Sequence, residues 1–181
     1  MDHLYEKTTK TTEIFKGRVI ELQIEEVELP NGKTSTREVV KHPGAVAVIP
    51  ITKVGKIVLV RQYRKALDKV IVEIPAGKLE VGEDPLDSAM RELEEETGYK
   101  TEKLEFILSF YTSPGFADEI VYLYATDKLE KGLSQTDDDE FLDVLEVTLE
   151  EAEQMVNNQT IHDAKTAYAI QYLKMRELKK P

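Results

Sequence analysis

Apolar and polar side chains alternate early in the chain: Ile20, Leu22 and Ile24 interleave with Glu21, Gln23 and Glu25. A period of two predicts a strand with one buried face. Pro30-Asn31-Gly32-Lys33 follows and reads as a hairpin turn, because Asn-Gly tolerates positive φ. Residues 34–40 are then the return strand. Residues 1–12 are polar and rich in Thr and Lys, which predicts a mobile end or a weak strand. Together these form an antiparallel unit spanning residues 1–42. Such a unit is too small to be stable alone and must pack on the rest or on a second copy.

After His42-Pro43-Gly44 the pattern changes. Ala45-Val46-Ala47-Val48-Ile49-Pro50-Ile51 is a continuous apolar run, expected of a buried strand. Val54-Gly55-Lys56 turns the chain into a second such run, 57–60, which continues into Arg61-Gln62-Tyr63-Arg64. Further strands are expected at 70–74, 104–111, 119–124 and 145–148, and helices at 85–97, 149–157 and 163–178. Interspersed strands and helices, several strands being buried on both faces, predict an α/β domain over 43–181, with a mixed sheet between helices.

One of these helices departs from an ordinary amphipathic pattern. Asp84-Pro85 supplies an N-cap and an N1 proline, Leu86, Ala89, Met90 and Leu93 form the buried stripe, and Gly98 suits the C-terminal stop. Yet Glu92, Glu94, Glu95 and Glu96 place four carboxylates in five residues at its last turns. Glu92 and Glu96 repel as i, i+4 neighbours, and all four sit at the negative end of the helix dipole. Each misplacement costs ~0.3–1 kcal/mol in exposed settings. Glu80 and Glu83 add acid just upstream. The cluster is open to two readings: a solvated acidic face, or a site for hard divalent cations, which favour oxygen ligands and bridge phosphates.

Composition narrows the picture. Lys plus Arg number 24 and Asp plus Glu 35, a net charge of −11, which argues against duplex nucleic acid as the main partner. A small anionic substrate remains compatible if local Arg, Lys or metal offsets the repulsion. No apolar run approaches the ~20 residues of a membrane span. The first residues lack the basic-then-apolar pattern of a signal peptide. There is no cysteine, so disulfides, zinc–thiolate sites and thiol catalysis are excluded, and a reducing cytoplasm fits. No EF-hand loop pattern is present. His3, His42 and His162 show no ligand spacing.

The spacing Gly77-x5-Glu83-x7-Arg91-Glu92-Leu93-x-Glu95-Glu96-x-Gly98-Tyr99 resembles the signature of the Nudix hydrolase family. It matches at eight of nine fixed positions, Tyr99 being aromatic where an aliphatic residue is usual. The likeness is greatest to the bacterial ADP-ribose pyrophosphatase branch. Val72-Glu73-Ile74-Pro75-Ala76-Gly77 resembles that branch's lead-in to the signature. Pro114, in Ser113-Pro114-Gly115, stands 15 residues beyond the signature, a position associated with ADP-ribose substrates. The N-terminal unit resembles the part that swaps between subunits in dimers of that branch. The resemblance implies a Nudix-like α/β/α sandwich in a cytoplasmic homodimer. It implies Mg²⁺-dependent hydrolysis, with Mn²⁺ as the alternative ion and on the order of two or three ions per site.

The resemblance also assigns roles. Glu92 and Glu96 are implied as metal ligands with the backbone carbonyl of Ala76, Glu95 as a further ligand, and Arg91 as a brace pairing with a carboxylate such as Glu83. The general base is implied on the loop Thr136-Asp137-Asp138-Asp139-Glu140, with Glu140 first choice and Asp138 second. Arg37 and Arg64 are candidates for substrate binding, Arg37 by stacking on adenine as well as by pairing with phosphate, Phe15 and Arg18 for the base, and Glu73 and Glu119 for ribose hydroxyls. Surface charges and a core aromatic are the competing reading of these residues. Another nucleoside diphosphate derivative, such as a GDP-sugar, a dinucleoside polyphosphate or NADH, is an alternative substrate. A non-catalytic ADP-ribose sensor fits less well, since the signature is intact and no helix-turn-helix module has room.

Overall fold

The structure, a computed structural model, describes residues 3–132 and 141–178. Its residues cluster into two compact units, one comprising the chain up to Gly44 with Phe110–Val121, the other Ala45–Ser109 with the chain from Tyr122 onward.

In the first unit, β1 (Lys7–Lys16), β2 (Glu21–Glu28) and β3 (Thr34–Lys41) form an antiparallel sheet in the order β1-β2-β3. The Asn-Gly turn is as expected: Gly32 has φ 78°, Leu29 N–H donates to the Lys33 carbonyl at 2.7 Å, and Lys33 N–H donates to Asn31 Oδ1 at 3.0 Å. β1 is longer than its composition suggests, and its register with β2 shifts between Thr8 and Lys10 and between Glu13 and Phe15. Every residue of it is exposed, so no apolar alternation announces it. Its β-branched threonines and its backbone pairing with β2 make the strand. The segment 110–121 joins this unit through the end of β3. Val40 N–H donates to the Phe116 carbonyl at 2.7 Å, Asp118 N–H donates to the Val40 carbonyl at 3.1 Å, and Lys41 forms an ion pair with Asp118.

The remaining strands are β4 (Ala45–Pro50), β5 (Ile57–Arg64), β6 (Lys69–Glu73), β7 (Ala76–Lys78), β8 (Tyr99–Lys100), β9 (Glu105–Tyr111), β10 (Ile120–Thr126), β11 (Glu130–Lys131) and β12 (Leu142–Val147). They pair as β7-β4-β10-β9, β12-β5-β6 and β11-β8. The helices are α1 (Pro85–Thr97), α2 (Leu149–Asn157) and α3 (Ala164–Leu178). The architecture is α/β, as the alternation predicts.

The apolar runs of β4 and β5 are buried. Val46, Val48 and Val58 pack with Ala89 and Leu93 of α1 and with Tyr124 and Leu129. Leu86 and Tyr99 lie against the same cluster. Burying each aliphatic side chain contributes ~1.5–3 kcal/mol, so this cluster fixes α1 on the strands. That fixation leaves the opposite, acidic face of α1 to be positioned by its polar contacts. No described helix is long and apolar enough to cross a membrane.

Candidate active site

Helix α1 starts and stops where its sequence dictates. The Asp84 side chain accepts from Leu86 N–H at 2.8 Å, Pro85 takes the first turn, and Gly98 at φ 67° donates its N–H to the Glu94 carbonyl. The last turn holds no basic residue to offset its dipole. The offset comes from Arg91, one turn back. Its Nε and Nη2 hold Glu83 at 2.9 and 3.0 Å. Its Nη1 donates to Glu92 Oε1 at 2.9 Å and to Glu95 Oε2 at 2.8 Å, while Nη2 also reaches Ser88 Oγ at 3.2 Å. One guanidinium thus gathers three carboxylates. The hydrogen bonds from Arg91 hold Glu83 well below the usual carboxylate range, at about 2, and the Glu83 contact in turn pushes Arg91 further up. Arg91 and Glu83, the pair suggested by the resemblance, are in contact.

Glu96 meets the backbone of β7. It is 3% exposed and accepts Ala76 N–H at 3.0 Å through Oε2. Ala76 and Gly77 are held in register by β4, opposite Ala47 and Val46. Gly77 has a specific reason to lack a side chain. A Cβ there would fall 1.9 Å from Glu92 Cδ, so the Glu92 carboxylate occupies the space a methyl would need. The start of β7 and the end of α1 therefore bring Ala76, Glu92 and Glu96 together, with Glu95 and Glu83 reached through Arg91.

Whether a divalent cation suits this group turns on its donor chemistry. The side chains are all oxygen donors, and the missing Cβ at Gly77 makes room for a carboxylate against the backbone. Among the described residues, no three His, Asp or Glu side chains converge as ligands on one point. The reason is visible: Glu92 and Glu95 turn toward Arg91, and Glu96 toward Ala76 N–H. The donor set fits a hard cation that would compete with the guanidinium for these oxygens.

A second charged group joins the ends of β5 and β6 to the start of α3. Glu73, 1% exposed, accepts Arg64 Nε at 2.7 Å, Arg64 Nη2 at 2.8 Å and Lys165 Nζ at 2.6 Å. Burial alone would raise the Glu73 carboxyl, but these two cations more than offset it and hold it below its ordinary value. Both Glu73 oxygens are already engaged, so a ribose hydroxyl would have to displace a cation. The Glu73 contact raises Arg64, which also feels the charge of Glu96.

The other candidates belong to the first unit. Arg37 pairs with Glu6 through Nη2 at 2.6 Å and Nε at 2.9 Å. Glu119 accepts Thr112 Oγ1 at 2.5 Å and lies 3.7 Å from His42 Nε2. Pro114 is exposed in a turn closed by Phe116 N–H and Ala117 N–H on the Ser113 carbonyl. Phe15 and Arg18 are exposed, Phe15 at 53%, which sets aside a core role for Phe15. Glu140 and Asp138 lie outside the described residues.

Sequence reasoning overlooked Lys165, Asp163 and Gly77's steric role. A signal for the first existed. Lys165 stands in the first turn of α3, where the helix dipole disfavours a cation, the mirror image of the misplaced glutamates of α1. Tyr99, the departure from the usual aliphatic, keeps its ring against the core and donates its hydroxyl to Glu146 Oε1 at 2.5 Å.

Known proteins resemble this chain in sequence and in fold. The NUDIX domain family matches residues 41–169. The chain is 58% identical to the ADP-ribose pyrophosphatase of Bacillus subtilis (strain 168), over 98% of this chain and 97% of that one. It is 60% identical to the methanol dehydrogenase activator of Bacillus methanolicus, over 95% of this chain and 94% of that one. The fold is similar to the crystal structure of an ADP compounds hydrolase, with TM-score 0.82 at 18% identity, covering 94% of this chain and 92% of the other.

Proposed function

The chain belongs to the NUDIX family, and from that premise we propose that it hydrolyses the pyrophosphate bond of ADP-ribose to AMP and ribose 5-phosphate. The observation that carries this reading is the carboxylate group gathered by Arg91 and the Ala76–Gly77 backbone. The relative from B. subtilis, named an ADP-ribose pyrophosphatase and alike over nearly the whole chain, supports the substrate.

In this mechanism Glu92 and Glu96, with the Ala76 carbonyl and Glu95, would hold Mg²⁺, or Mn²⁺ in its place, on the order of two or three ions per site. When bound, such ions supply Lewis-acid charge at the phosphate oxygens and acidify the attacking water. Arg91 keeps the acidic side chains in place and limits their mutual repulsion. Arg64 pairs with a phosphate oxygen. A carboxylate of residues 136–140, Glu140 or else Asp138, takes the proton from water as the water oxygen attacks phosphorus. The bridging P–O bond breaks in line, and the barrier is lowered by positioning and charge stabilisation. Arg37, Phe15 and Arg18 contact the adenine end, Glu119 a ribose hydroxyl, and the Ser113-Pro114 turn marks the ADP-ribose preference. The enzyme acts as a cytoplasmic homodimer, with residues 1–42 as its dimerisation unit.

The test is incubation with Mg²⁺ and a panel of nucleotides, followed by identification of the products. ADP-ribose should give AMP and ribose 5-phosphate, and ATP should be a poor substrate. Higher kcat/KM on a GDP-sugar or NADH would move the assignment to another nucleoside diphosphate derivative. The likeness to a methanol dehydrogenase activator favours a second role, stimulation of such a dehydrogenase. Adding the chain to a methanol dehydrogenase assay, with wild type beside Glu96→Gln, tests whether that role needs the same site.

A further inference from the structure

One cation suffices to neutralise a carboxylate, yet the buried Glu73 has two. Arg64 comes from β5 and is 40% exposed along its side chain; Lys165 comes from the first turn of α3 and is 17% exposed. Lys165 is itself anchored: its Nζ also donates to Asp163 Oδ1 at 2.9 Å, and that oxygen accepts Thr166 N–H at 3.1 Å. Thr166, fully buried, accepts Ile74 N–H at 3.0 Å through its hydroxyl. The start of α3 therefore grips both the Glu73 side chain and the backbone beside it. Two residues further on, Ala76 N–H donates to Glu96.

Arg64 and Lys165 grip the Glu73 carboxylate from two different elements, β5 and the start of α3. Arg64 spends Nε and Nη2 on the carboxylate, and its Nη1 makes no hydrogen bond among the described residues. A guanidinium held along one edge keeps its other N–H groups for the oxygens of a second anion, such as a phosphate. We propose that Lys165 is a positioning residue for substrate: braced on Asp163, it fixes the Glu73 carboxylate, and Glu73 fixes Arg64 with its remaining N–H edge turned to the substrate's diphosphate. The role rests on the reading of the chain as a nucleoside diphosphate hydrolase.

The experiment compares Lys165→Met, Lys165→Gln, Lys165→Arg and Arg64→Ala, alone and combined, in variants whose thermal unfolding shows a folded protein. Lys165→Met should raise KM for ADP-ribose about tenfold, the scale of one charge-assisted hydrogen bond. It should leave kcat within about twofold, as expected when binding common to ground and transition states is lost. Lys165→Arg should restore most of the loss. The Arg64→Ala, Lys165→Met pair should be no worse than Arg64→Ala alone, because one effect acts through the other. A KM that does not move, or effects that multiply, overturns the proposal. If Lys165→Met does not fold, Lys165→Gln carries the same comparison. A second readout needs no substrate: the Arg64 Nε–H resonance should be protected from solvent exchange in the wild type and lose that protection in the folded Lys165→Gln variant. Unchanged protection overturns the positioning role even if ADP-ribose is not the substrate. A wild type inactive on ADP-ribose counts against the functional reading alone.

Discussion

Glu92 and Gly77 separate the candidate chemistry from the stability of the fold. Gly77→Ala would put a methyl 1.9 Å from Glu92 Cδ. The obstructing atoms are the far end of a flexible side chain, so Glu92 can move away at a cost of about 0.5–1.5 kcal/mol, that of a strained rotamer. The carboxylate is then misplaced, and turnover should fall roughly 10²-fold in a protein that still folds. Unfolding curves beside steady-state rates check both halves; a fully active Gly77→Ala would remove Glu92 from the site. Glu96→Gln keeps the shape and an acceptor for Ala76 N–H, and should cost at least ~10²-fold in turnover with folding intact. At this scale much of the site is legible in the sequence, because the glutamates of α1 break two rules of helix electrostatics and do so at a recognisable spacing. Glu73 was legible as a candidate but not its burial. Nothing local tells that Lys165, 92 residues away, meets it.

Helix α1 is the element in which sequence and structure agree best, since caps, stripe and stop are all local signals. The two- and three-residue strands β7, β8 and β11 were not foreseen, being too short to show any periodicity. β1 escapes the pattern for the opposite reason, being a long strand with no buried face. The Glu83–Arg91 contact ties the approach of α1 to its acidic end and predicts a pH dependence. Glu83 has its folded pKa depressed from 4.5 to about 2, so its contribution is present above 4.5 and lost as pH falls toward 2. At neutral pH Glu83→Gln should therefore destabilise by about 1.5–3 kcal/mol, the range for hydrogen bonds to charged groups. The difference from wild type should shrink between pH 4.5 and 2, as the wild-type carboxyl takes up its proton. Chemical denaturation across that window measures it; a gap that stays constant with pH would show that the ion pair contributes no folding free energy.

At the scale of the whole molecule, the first unit presents an open edge. β1 is an outer strand of β1-β2-β3, and all ten of its residues are exposed. Ile14 and Phe15 on it are 52% and 53% exposed, and Val19 and Ile20 just beyond are 40% and 37% exposed. Unpaired strand edges and apolar side chains in water invite a second chain. A two-fold homodimer is the commonest closed assembly that covers both. Light scattering at micromolar concentration should give twice the chain mass, and a monomer there would exclude the dimer. Whether the N-terminal unit then serves the partner's substrate is a separate matter, which mixing variants decides. An Arg37→Ala chain and a Glu96→Gln chain are each expected to be poorly active. If Arg37 acts across the interface, a mixed dimer holds one site with both residues intact, and activity recovers above either parent. If Arg37 serves its own chain, every site lacks one residue and nothing is regained. The contact between Arg37 and Glu6 of the same chain sharpens the test. Substrate must draw Arg37 away from Glu6 in either arrangement, so Glu6→Gln should lower KM while leaving the outcome of the mixing unchanged.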